Sequence, residues 1–168
     1  MRILGIDPGS LKTGFGVIEV DRGVFKLIDC GYIANSSKTP LPLRFSKIFE
    51  GLKVVIVRSS PNEAAVETLF YFKNPRTAFK LGEARGVAIL ALAQHQLPVY
   101  EYEPRRVKQA VVGFGSAHKS QVSKMVLSLL RLKDFKGPED ITDALAVAIC
   151  HAHHLKAMTK HQASNSKQ

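Results

Sequence analysis

The chain has 168 residues, 45% of them hydrophobic, and carries 24 Lys and Arg against 14 Asp and Glu, a net charge of +10. That length suits one domain with a sizeable core, and two cysteines, Cys30 and Cys150, are too few for a disulfide framework. Apolar runs such as Val87–Ala93 and Ala144–Cys150 are too short to span a bilayer, and Asp7 comes too early for a signal peptide, so the expectation is a soluble, cytoplasmic protein with reduced thiols and a polyanionic partner.

Ile3–Asp7, Gly14–Val20 and Val24–Ala34 read as strands rich in β-branched and aromatic residues, with Asp21-Arg22-Gly23 turning the second into the third as a hairpin. Ser36 to Pro40 form a loop. Phe45, Ile48, Phe49, Leu52, Val55 and Ile56 then recur at helical spacing until Pro61-Asn62. A short strand, Ala64–Thr68, is followed by the aromatic run Leu69-Phe70-Tyr71-Phe72. Pro75 opens a helix running to about Gln94, and the glycines inside it, Gly82 and Gly86, imply close packing on a neighbour. Val99–Glu103 is another strand. Helices Pro104–Val112 and His118–Leu130 flank the segment Gly113–Ala117. The last helix starts near Pro138 and carries the stripe Ile141, Leu145, Ala148, Ala152 and Leu155. Residues 158–168 are polar and unpatterned and are expected to fray, which leaves residues 1–157 as the domain. This order predicts an α/β fold, a mixed sheet flanked by helices.

Four carboxylates stand in apolar surroundings. Asp7 ends Ile3-Leu4-Gly5-Ile6, Glu67 closes Ala64-Ala65-Val66, and Asp140 and Asp143 head the run from Ala144 to Ile149. Each has a plainer use: Asp7 as a turn former before Pro8-Gly9, Asp140 and Asp143 as helix N-terminal charges, Glu67 as a strand-end acid. If all four converge, each like-charge pair at about 5 Å costs roughly 3 kcal/mol at an effective dielectric of 20, which a bound cation would offset. Hard oxygen donors of this kind select Mg²⁺ or Mn²⁺. In a basic chain, a metal–carboxylate site points to hydrolysis of phosphate esters, with two carboxylate-held ions activating water and stabilising the leaving oxygen. Lys119 begins a helix after a Gly-rich segment, where backbone N–H groups favour phosphate oxygens; the segment lacks the glycine that a nucleotide P-loop places before its lysine. His151 lies eight residues past Asp143, about 12 Å along a helix, so His151, His153 and His154 read as the polar end of that helix rather than as ligands.

The blocks Gly5-Ile6-Asp7-Pro8-Gly9, Glu67 after its apolar strand, Lys80 to Val87, Val107 to Gly113, Lys119-Ser120-Gln121-Val122 and Asp140 to Ala146 occur in register. With them, nearly the whole chain resembles the RuvC family of Holliday-junction resolvases. The resemblance implies a ribonuclease-H-like fold and a homodimer that nicks two opposed strands of a four-way DNA junction in recombination and repair. It further implies Mg²⁺ dependence with two ions per site, and RuvA and RuvB as partners. By the same match, Asp7, Glu67, Asp140 and Asp143 are the metal-binding catalytic acids, and Lys108 and Lys119 lie by the scissile phosphate. Phe70 matches an aromatic at the junction centre, a role that Tyr71 or Phe72 could share. Glu139 could support Asp140, since both reach Asp143 at helical spacing. Three other classes compete: a sugar kinase or ATPase of the actin type, for which Asp7-Pro8-Gly9-Ser10 fits but the length is too short; a nuclease acting on RNA or RNA–DNA hybrid; and a non-catalytic nucleic-acid-binding module, which would not need four acids.

Overall fold

The apolar segment Arg2–Asp7 forms the central strand β1 of a five-stranded sheet in a computed structural model that describes residues 1–68, 75–133 and 135–165. β2 (Lys12–Asp21) and β3 (Val24–Ala34) continue from it as an antiparallel meander, and β4 (Glu63–Glu67) and β5 (Val99–Tyr102) add in parallel on the other side. The order is β3-β2-β1-β4-β5, so β1 and β4 are neighbours, as a shared site for Asp7 and Glu67 requires. Arg22 (φ 48°) and Gly23 (φ 83°) both take positive φ in the β2–β3 turn, the backbone that suits the right-handed twist of a two-residue hairpin.

The period-2 alternation of β1 sends its side chains to two cores. Leu4 and Ile6 face α1 (Leu41–Ser59) and α2 (Pro75–Gln94), packing with Ile48, Leu52, Ala84, Ala88 and Leu92. Ile3 faces the other layer, built from α3 (Pro104–Val112), α4 (Lys119–Leu129) and α5 (Glu139–Asn165). The glycines of β1 and β2 share this second face. A Cβ on Gly5 would collide with the Ala144 carbonyl oxygen, one on Gly14 with that of Asp140, and one on Gly16 with the Leu145 side chain. Their missing side chains let the backbone of α5 lie directly on the sheet.

Three expectations change. An added Cβ on Gly86 would meet nothing within 4 Å, so this glycine does not serve packing within the chain; it lies on an open face of α2 with Phe79 and Leu90, both exposed. The helical backbone of α5 continues to Asn165, past the end of its apolar stripe, because the segment after Met158 contains neither Gly nor Pro to stop it. His151 is not part of a polar helix end: it is fully buried. Cys150 is a buried free thiol and Cys30 a partly buried one. No helix among the described residues is long and apolar enough to cross a membrane.

Candidate active site

Asp7 is the last residue of β1 and stands opposite Gly14 of β2, on the face covered by α5. Glu67 ends the adjacent parallel strand β4, with side chain on the same face as Ala65. The first turn of α5 rests over Gly14, which brings Asp140 and Asp143 to the C-terminal edge of β1 and β4. The electrostatics follow from this placement. Burial pushes the Asp7 carboxyl up to about 6, helped by the like charges of Asp143 and Asp140 and opposed by Lys119. Glu67 is pushed up to about 7, by burial first and then by Asp7 and Asp143, with Lys119 and Lys108 pulling back. The four acids therefore form one network of like charge, as a polycarboxylate cation site would.

The network is open rather than closed. Among the described residues no three His, Cys, Asp or Glu side chains are grouped tightly enough to hold one ion together. Lysines approach instead: Lys119 Nζ donates to Asp143 Oδ2 at 2.9 Å, which raises the lysine's pKa, and Lys12 Nζ lies 3.9 Å from Asp140 Oδ2. The donor set is all carboxylate, which fits Mg²⁺ or Mn²⁺ and not a soft metal. Asp7, Glu67, Asp140 and Asp143 are the residues that would hold it. Glu139, on the same first turn, has an exposed side chain, and its carbonyl accepts the Thr142 hydroxyl.

Lys119 is delivered by the start of α4. Gly113, at φ 102°, ends α3, its N–H donating to the Gln109 carbonyl at 2.9 Å, and the chain turns there in a conformation that favours glycine. The backbone N–H of His118 donates to Gln121 Oε1 at 2.8 Å, and Val122 and Val126 anchor the helix in the core. Lys119 leads this anchored helix with its side chain 66% exposed, so its ammonium can reach both Asp143 and a substrate anion. Lys108 of α3 is close enough to lower the pKa of Glu67. Phe70, Tyr71 and Phe72 lie outside the described residues.

Sequence reasoning missed two features. Lys12 follows the Asp7 turn by five residues, and nothing in its own neighbourhood marks it as a partner of Asp140. His151 joins Glu63 and Tyr102: its Nε2 lies 2.6 Å from Glu63 Oε2 and its Nδ1 2.7 Å from the Tyr102 hydroxyl, with Tyr100 stacked at 4.3 Å. A carboxylate can only accept, which places the proton on Nε2 and leaves Nδ1 to accept from Tyr102 O–H. Burial lowers the pKa of His151, so the neutral ring satisfies both bonds. The sequence signal was His151 recurring with the α5 stripe at Ala148, Ala152 and Leu155, a buried position.

The family model described as "Crossover junction endodeoxyribonuclease RuvC" matches residues 3–151. A protein of that name from Chloroflexus aggregans is 51% identical over 153 residues, covering 91% of this chain and 93% of its own. One from Pelotomaculum thermopropionicum is 49% identical over 154 residues, covering 92% and 94%. The structure of Thermus thermophilus RuvC in complex with a Holliday junction substrate superposes with a TM-score of 0.89 at 35% identity, covering 95% of this chain and 97% of that one. With a matching family model over most of its length and relatives near half identity, the chain belongs to the RuvC family of crossover junction endodeoxyribonucleases.

Proposed function

We propose that the protein resolves four-way DNA junctions by metal-dependent hydrolysis of one phosphodiester in each of two opposed strands. The observation that carries this reading is the placement of Asp7 and Glu67 at the ends of adjacent strands, on the sheet face that the Asp140–Asp143 turn of α5 covers, with Lys119 bonded to Asp143 in a chain of net charge +10. Two Mg²⁺ ions, for which Mn²⁺ can substitute, would supply an activated water and stabilise the leaving 3′-oxygen.

The chain's own residues do the rest. Asp7, at the end of the central strand and paired with Gly14, would be a rigidly held ligand, and the first turn of α5 presents Asp140 and Asp143 over the same face of the sheet. Lys119 exchanges Asp143 for the scissile phosphate and meets the charge that develops there. Lys108 holds the strand beside Glu67, and the remaining basic surface binds backbone phosphates with a strong salt dependence.

A homodimer supplies one site to each of two symmetry-related strands. The open face of α2, with exposed Phe79 and Leu90 and unobstructed Gly86, supports a second copy there. Phe70 serves at the junction centre, and RuvA and RuvB are the partners that the family resemblance suggests, in the cytoplasm. Labelled four-way DNA, duplex DNA and RNA–DNA hybrid, each incubated with the protein in Mg²⁺ or EDTA, test the reading. Paired nicks confined to the junction in Mg²⁺ are expected; preferential cutting of the hybrid would reassign the protein as a ribonuclease.

A further inference from the structure

Asp7 pairs with Gly14, and Gly14 pairs in turn with Tyr32 on the edge strand β3, so the three form one row across the sheet. Directly opposed residues share a face, which puts the Tyr32 side chain on the α5 side, two strand spacings or about 10 Å from Asp7. The first turn of α5 sits over Gly14, between them. Lys12, two residues before Gly14, is on the same face; its Nζ lies 3.9 Å from Asp140 Oδ2 and 5.7 Å from the centroid of the Tyr32 ring. Both side chains are open to solvent, Lys12 at 51% and Tyr32 at 44%.

We propose that Lys12 and Tyr32 form a nucleotide subsite flanking the carboxylate cluster, with Lys12 taking a backbone phosphate and Tyr32 the sugar or base next to it. The subsite presupposes the nuclease reading above. A solvated ion pair at this separation contributes about 0–1 kcal/mol, so Lys12 can trade the carboxylate for a phosphate at little cost. A divalent cation held by Asp140 would take up the carboxylate's charge and release the Lys12 ammonium to the strand. The Tyr32 ring orients that ammonium and offers it a further attraction at an exposed site. A role for Lys12 as counter-ion alone would account for its approach to Asp140. It would give no use to a large exposed ring aligned in one row with Asp7. An aromatic face beside a cation is the usual platform for an unpaired or splayed nucleotide.

The test is titration of a four-way DNA junction with the full chain and its Lys12→Ala, Lys12→Arg and Tyr32→Ala variants. Ca²⁺ replaces Mg²⁺ so that binding is read across a series of monovalent salt concentrations. Cleavage at saturating protein is followed separately in Mg²⁺. Lys12→Ala should flatten the plot of log affinity against log salt by about one unit, and Lys12→Arg should restore it. Tyr32→Ala should weaken binding about 5- to 150-fold with the slope unchanged. If the wild type cuts and both alanine variants bind with unaltered affinity and slope, the subsite is wrong and Lys12 is only a counter-ion. A wild type that neither binds nor cuts junctions overturns the nuclease reading, and the subsite with it.

Discussion

Asp7 is pushed toward the neutral form both by burial and by its neighbours, and a pKa of about 6 records the sum. Substituting asparagine keeps the shape and removes the charge. Asp7→Asn should therefore cut junction cleavage by at least about 100-fold, as loss of a group essential to transition-state stabilisation does, while binding survives. The same change should stabilise the metal-free protein at pH 8 by about 1–3 kcal/mol, since each pH unit of elevation represents about 1.4 kcal/mol of strain on the charged form. Thermal melts in EDTA beside single-turnover cleavage check both parts, and a destabilised Asp7→Asn would contradict the electrostatic account. Lys119 makes the opposite case. Its bond to Asp143 is largely exposed, so Lys119→Ala should leave the melting temperature within about 2 °C while slowing cleavage at saturating protein. The carboxylates were legible because a charge at the end of an apolar run needs a reason. Lys12 was not, because its partner is 128 residues away and exposed lysines are ordinary.

At the level of elements, the site is a consequence of how closely α5 approaches β1 and β2. Gly14→Ala puts a methyl against the backbone of Asp140, where no rotamer change can relieve it, and should cost about 1–3 kcal/mol. The first turn of α5 would be pushed from Asp7, so cleavage should fall by more than the lost stability explains. Circular-dichroism melts and cleavage below the shifted midpoint separate the two effects. The strands, the helices and the adjacency of β1 and β4 could be expected from periodicity, turn residues and the position of the acids. The glycines could not be ranked that way. Gly5, Gly14 and Gly16 receive a helix, whereas Gly86, which looked equally like a packing glycine, faces open space. His151 was misread for a related reason: a histidine beside other histidines at a helix end looks polar until β4 and β5 supply Glu63 and Tyr102.

For the whole molecule, the raised pKa values of Asp7 and Glu67 fix the sign of the pH dependence. The folded chain holds extra protons between the ordinary carboxylate range and about 6 to 7. These two groups therefore favour the fold at low pH and withdraw that stability as pH rises through 6 to 7. Mg²⁺ should raise the melting temperature more at pH 8 than at pH 5, and the pH slope of the metal-free protein should be flatter in Asp7→Asn. Scanning calorimetry over that range checks both. If the open face of α2 is the dimer surface, Gly86→Arg should yield a folded monomer by sedimentation, with nicks no longer paired on opposed strands. β4 bears Glu63 at one end and Glu67 at the other, and α5 answers each: His151 bonds to Glu63, and Asp143 is coupled to Glu67. Four strand steps cover about 13 Å and eight helical steps about 12 Å, so strand and helix are rulers of equal length, pinned at one end by the His151–Glu63 bond and bringing two like charges face to face at the other. With the Glu63 end fixed, a residue inserted or deleted along either ruler would put the two scales out of step and part Asp143 from Glu67.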